Sequence, residues 1–116
     1  DLQVSRICLG CMGFGDPRQG QHRWTLDADQ TRDILEQALR QGINFFDTAT
    51  KYGPQDAVGQ GLEGLPRDSY ILSTKFNFVN KADGSLRALR TDYMDIYSRA
   101  SFSISTSRYV SASCLR

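Results

Sequence analysis

Gly42-Ile43-Asn44-Phe45-Phe46-Asp47-Thr48 is the stretch whose reading decides the fold. Ile43 to Phe46 is short and mostly apolar, bounded by a glycine on one side and a polar pair on the other, which reads as a buried strand. What precedes it is helical. Asp27 offers an N-cap with Gln30 three residues later, a capping-box spacing. Ile34, Leu35, Ala38 and Leu39 then share one face, while Arg32, Asp33, Glu36 and Arg40 point away. Gly42 ends that helix, as a glycine just past a helix does. A helix delivered directly into a strand is half of a repeating strand–helix unit.

Working outward, the same alternation recurs. Val4 to Leu9 reads as a first strand and runs into the glycine-rich turn Gly10-Cys11-Met12-Gly13-Phe14-Gly15. After Tyr52-Gly53-Pro54, residues 55–65 place Val58, Leu62 and Leu65 at helical spacing, although Gly59, Gly61 and Gly64 weaken such a helix by roughly 1 kcal/mol each. Tyr70 to Thr74 is a third strand with Lys75 at its end, Ser85 to Arg90 a short helix, and Met94 to Tyr97 a fourth strand. Strands alternating with helices predict an α/β fold with parallel strands and helical crossovers. The pattern alone leaves a barrel and an open sheet as alternatives.

The 116 residues carry 40% hydrophobic and 23% charged side chains and a formal charge of +1. That balance gives no basic stripe for nucleic acid or an acidic membrane surface. No apolar run approaches the roughly 20 residues of a membrane span. No secretory signal opens the chain, which starts at Asp1 rather than methionine and so leaves room for an upstream piece. Three cysteines (Cys8, Cys11, Cys114) make no disulfide framework, so a reducing cytoplasm is the expected setting. Cys8-Leu9-Gly10-Cys11 has CxxC spacing, but one pair without a second is weak support for a redox or zinc site. Packing by Cys8 and a loop role for Cys11 are expected instead.

Three polar groups fall just past strand ends: Asp47, Tyr52 and Lys75. In parallel β/α folds, sites are assembled at the C-terminal ends of strands. A phenol holds its proton to about pH 10. A neighbouring ammonium favours the phenolate, which lets a tyrosine deliver a proton to a developing alkoxide near neutral pH. The alternative is structural: Asp47 capping a turn, Tyr52 packing, and Lys75 a solvated strand-end charge. The glycines at 10, 13 and 15 do not have GxGxxG spacing, and the tyrosine and lysine are not at YxxxK spacing, so nucleotide folds of those two kinds are disfavoured.

Several blocks in one order resemble a known family. Ile43-Asn44-Phe45-Phe46-Asp47-Thr48-Ala49 followed by Tyr52-Gly53, the strand and loop from Val4 to Gly15, Leu72-Ser73-Thr74-Lys75, and Ser85 to Tyr97 are similar to the N-terminal part of NADP-dependent aldo-keto reductases. The resemblance implies a partial (β/α)8 TIM barrel, about the first four strands. It implies reduction of a small-molecule carbonyl substrate, an aldehyde or ketone, with NADPH. Tyr52 would be the general acid, Lys75 would depress its pKa, and Asp47 would hold Lys75 and itself lie near the nicotinamide ribose. Gly10, Cys11 and Met12 match the loop that lies against the cofactor, and Trp24 falls in a region that lines the substrate pocket.

Two departures qualify that expectation. The family's histidine belongs three residues after Tyr97, where this chain has Ala100, and the only histidine, His22, reads as a solvated loop residue. The family's helix before Ser85 is longer; here Asn80-Lys81-Ala82-Asp83-Gly84 joins directly. From Ser98 onward the composition changes: seven serines in nineteen residues, against four before, and no acidic residue. Residues 1–97 are therefore expected to be barrel and 98–116 a non-family or altered-frame tail. Half a barrel is expected to show negligible reductase activity alone and to expose sheet edges for self-association or for pairing with a complementary half.

Overall fold

The structure is a computed structural model that describes residues 2–19, 22–50, 55–76 and 82–99. Four strands alternate with three helices: β1 (Cys8–Gly10), α1 (Ala28–Arg40), β2 (Phe45–Asp47), α2 (Asp56–Leu62), β3 (Ile71–Phe76), α3 (Ala82–Ala88) and β4 (Ile96–Arg99), with a 3-10 turn at Arg67–Ser69. All neighbouring strands pair in parallel, in the order β1-β2-β3-β4. Each crossover therefore leads to the adjacent strand, as the alternation predicts.

Helix α1 forms as the sequence dictates. Asp27 accepts from Gln30 N at 2.9 Å and the Gln30 side chain bonds back to the Asp27 amide, closing the capping box. Beyond the helix Gly42 adopts φ 80° and Ile43 N bonds to Ala38 O. That last bond is why β2 starts at Phe45 rather than Ile43. Likewise β1 starts at Cys8 rather than Val4. Before it, Ser5 and Asn44 exchange side-chain bonds, Ser5 N to Asn44 Oδ1 at 2.8 Å and Asn44 N to Ser5 Oγ at 3.1 Å, in place of a ladder.

The two faces of the sheet differ. Leu9, Phe46 and Leu72 lie in register on one face. Phe46 and Leu72 are fully buried there with Leu35 and Ala38 of α1 and Val58 and Leu62 of α2. The period of two puts Cys8, Phe45 and Ile71, then Gly10, Asp47, Ser73 and Ile96, then Lys75 and Ser98, on the other face. No helix among the described residues covers that second face at Cys8, which is exposed, or at Gly10, where an added Cβ would meet nothing within 4 Å.

Helix α2 ends at Leu62, three residues earlier than its apolar spacing suggests, with Gly64 at φ 82°. Packing demands a glycine at Gly59 and favours one at Gly61. A Cβ on Gly59 would lie 2.3 Å from Ala88 O, and one on Gly61 would lie 2.9 Å from Leu35 Cδ1. Helix α3 begins at Ala82, so Asp83 and Gly84 are helical rather than linking, and it stops at Ala88, where residues to Arg90 were expected. Strand β4 runs two residues later than its apolar run. Asp95 spends its side chain on Leu72 N, and the regular pairing starts at Ile96 and reaches Arg99. The expected boundary between Tyr97 and Ser98 thus falls inside a strand. Residues 100–116 lie outside the described residues. Among the described residues, no helix is long and apolar enough to cross a membrane.

Candidate functional site

The open face carries the polar side chains. Asp47 is the last residue of β2 and Ser73 is its register partner on β3. Lys75, two residues further along β3, returns to the same face. Lys75 Nζ forms an ion pair with Asp47 Oδ2 and lies 3.5 Å from Thr48 O. Ser73 Oγ donates to Asp47 Oδ1 at 2.9 Å. The two charged side chains are 31% and 27% exposed, so the pair is shielded from bulk water on one side and open on the other. The structure brings Asp47 and Lys75 together; Tyr52 lies outside the described residues.

Two hydrogen bonds flank the segment that bears Tyr52. Thr50 Oγ1 donates to Lys75 O at 3.3 Å, and Gln55 Nε2 donates to Thr74 Oγ1 at 2.8 Å between two buried side chains. Both anchors are consecutive residues of β3. Neither Thr50 nor Gln55, nor Ser73, stood out in the sequence. The period of two could have marked Ser73 as facing the same way as Lys75, but nothing local reveals that Gln55 reaches Thr74.

The loop after β1 closes over the strand ends. Cys11 N donates to Asp47 O at 2.8 Å, and Gly13 to Gly15 bridge Leu26 through Leu26 N to Gly13 O and Gly15 N to Leu26 O. The cysteines exchange the roles the sequence suggested. Cys8 is exposed, and Cys11 is 1% exposed within the core. The cause is the strand register: Cys8 points to the uncovered face, and the turn after Gly10 directs Cys11 inward. Burial, followed by the nearby Asp47 carboxylate, pushes the Cys11 thiol up to about 12. Cys8 is raised as well, first by burial and then by Asp47. Both are protonated thiols at neutral pH, and neither is an activated one.

Met12 and Trp24 are exposed on this loop. Trp24 packs over Gly13, where a Cβ would lie 2.8 Å from its ring. His22 is stacked on Trp24 with centroids 4.3 Å apart and planes within 3°. It is thus a partly exposed residue on the loop, stacked on an exposed ring.

A model of the aldo/keto reductase family matches residues 6–114. The chain belongs to that family. It is similar over 83 residues, at 36% identity, to the versiconal hemiacetal acetate reductase of Aspergillus parasiticus, a match covering 66% of this chain and 23% of that protein. A Pseudomonas aeruginosa chain of the aldo-keto reductase type superposes with TM-score 0.73 at 28% identity, over 89% of this chain and 44% of that one. An aldo-keto reductase from Klebsiella pneumoniae solved with NADPH superposes with TM-score 0.63 at 32% identity, over 81% and 34%. The four parallel strands are therefore part of an aldo-keto reductase barrel. The chain spans about a third of the length of the curated relatives it matches. The family match extends past Tyr97, into the serine-rich stretch.

Proposed function

We propose that this chain supplies the proton-delivering part of an NADP-dependent aldo-keto reductase site that reduces aldehydes or ketones to alcohols. The observation that carries it is the Asp47–Lys75 ion pair, set at the strand ends on the open face. In this reading Tyr52 delivers a proton to the substrate carbonyl oxygen. The Lys75 ammonium favours its phenolate, and Asp47 fixes that ammonium in place. Thr50 and Gln55 tie the two flanks of the Tyr52 segment to the strand that carries Lys75.

The residues present fit one end of the cofactor. Gly10 stands in register beside Asp47 with open space where a Cβ would be, which suits close approach of a nicotinamide and its ribose. Gly10, Met12 and Asp47 would hold that end. Cys11 would contribute only by shaping the loop, since its side chain is buried and its amide is bonded to Asp47 O. When bound, NADPH supplies the hydride. Trp24, exposed above Gly13, is proposed to line the substrate side, and the cytoplasm is the proposed setting.

By itself the chain is proposed to have little activity. β1 and β4 each have a strand neighbour on one side only among the described residues. Those edges also favour a second reading, in which the chain works by pairing with another copy or a complementary half. One experiment addresses both. Residues 1–99 fused to the complementary part of the Klebsiella pneumoniae relative's barrel should oxidise NADPH with a simple aldehyde, and Tyr52→Phe should lower that rate at least a hundredfold. A folded, inactive fusion overturns the active-site reading. The unfused chain should stay near background in the same assay, and its elution as a discrete dimer would favour the second reading.

A further inference from the structure

The Asp47 carboxylate sits on a torsion with a broad, two-fold profile, so by itself it would not present one particular oxygen to its partner. Ser73 removes that freedom. An ionised carboxylate only accepts, so the Ser73 hydroxyl must be the donor in the 2.9 Å bond to Oδ1. Ser73 is 4% exposed, on the strand adjacent to Asp47 and in direct register with it. With Oδ1 held from the side by β3, Oδ2 faces Lys75 two residues further along the same strand. Lys75 Nζ is also drawn towards Thr48 O, the carbonyl following Asp47. We infer that Ser73 is a positioning residue, which fixes the rotation of the Asp47 carboxylate and through it the place of the Lys75 ammonium.

The inference rests on the reading of Asp47 and Lys75 as the reactive pair, but its test does not need catalysis. Reductive methylation of the full chain, followed by mass spectrometry, reads how often Lys75 leaves its partner, with Lys51 and Lys81 as internal references. Asp47→Asn should speed Lys75 modification most. Ser73→Ala should speed it about threefold or more relative to the references, since a hydrogen bond to a charged group is lost. Ser73→Thr, which keeps the hydroxyl, should stay near the parent rate, whereas Ser73→Val, of the same shape without it, should behave like Ala. The Thr and Val pair decides the matter where the Ala variant does not fold. Equal rates for Thr and Val, or no change in Ala while Asp47→Asn accelerates, overturn the role of Ser73 and leave the proposed function standing. A Ser73 effect together with an inactive fusion would leave Ser73 standing and overturn the function.

Discussion

Strand β3 has an ion pair at each end, and the two are built differently. Before its first residue, Arg67 donates to Asp95 Oδ2 at 2.7 Å, to Thr91 Oγ1 at 3.1 Å, and to the carbonyls of Tyr70 and Tyr93 at 3.0 and 3.1 Å. Its guanidinium lies 3.9 Å from the Tyr93 ring centroid and 4.9 Å from that of Tyr70. Asp95 also accepts from Leu72 N at 2.9 Å and is 5% exposed at its side chain. This is an arginine used for its planar fork, tying β3 to the start of β4. At the other end, Lys75 meets Asp47 as a compact charge on a flexible stem, about a third exposed. The first arrangement locks strands together. The second holds one charge in place and leaves it partly open to solvent.

Removing each carboxylate should therefore have opposite consequences. Asp95→Ala leaves a largely buried guanidinium uncompensated and should cost about 3–5 kcal/mol, measured as a shift in the urea midpoint. A loss below about 1 kcal/mol would show that the buried end is no more than a surface pair.

A smaller effect should come from pH at the site end. Cys11 lies beneath the strand ends with its thiol pushed up to about 12 from the free thiol's 9.0. A folded-state value above the unfolded one adds stability that is complete below pH 9 and is lost as pH rises towards 12. The fall should be about 1 kcal/mol per pH unit in that window. Cys8 contributes in the same direction. Unfolding followed between pH 8 and 11 should therefore show a shallower alkaline decline in Cys11→Ala than in the parent chain; identical slopes would remove the buried thiol as the cause.

The smallest stability effect is expected where the functional effect is largest. Asp47→Ala opens a pair about a third exposed and should change stability by less than about 1 kcal/mol. In the active fusion the same change should remove most of the NADPH oxidation. A stability loss matching that of Asp95→Ala would erase the distinction between the two ends.

Much of this was legible locally. The Asp27–Gln30 capping box, the apolar face around Leu35 and Ala38, and the Gly42 stop are contacts within a turn or two of chain, so α1 followed from spacing. Asp47 and Lys75 were recognisable because they stand at strand ends, where parallel folds gather polar groups. The errors were of another kind. Strand starts at Val4 and Ile43 failed because Ser5, Asn44 and Ala38 captured backbone groups that a ladder would have used. Gly59 and Gly61 read as weaknesses of α2, yet the Ala88 backbone approaches Gly59 too closely for any side chain, and at Gly61 the Leu35 side chain would have to give way. Cys8 and Cys11 exchanged roles because a strand's two faces look alike until something covers one of them.

The sequence by itself determined the alternation of strand and helix, the cap and stop of α1, and which charged groups would stand at the ends of β2 and β3. These depend on periodicity and on neighbours a few residues away. Only the tertiary structure decided that Ser73 would turn Asp47 towards Lys75, that Gln55 would reach Thr74, that Arg67 would be ringed by Tyr70, Tyr93 and Asp95, and which cysteine would be buried. Apart from Arg67 and its near neighbour Tyr70, the side-chain pairs among these lie 19 to 28 residues apart in the chain, and parallel pairing with helical crossovers is what brings them within bonding distance.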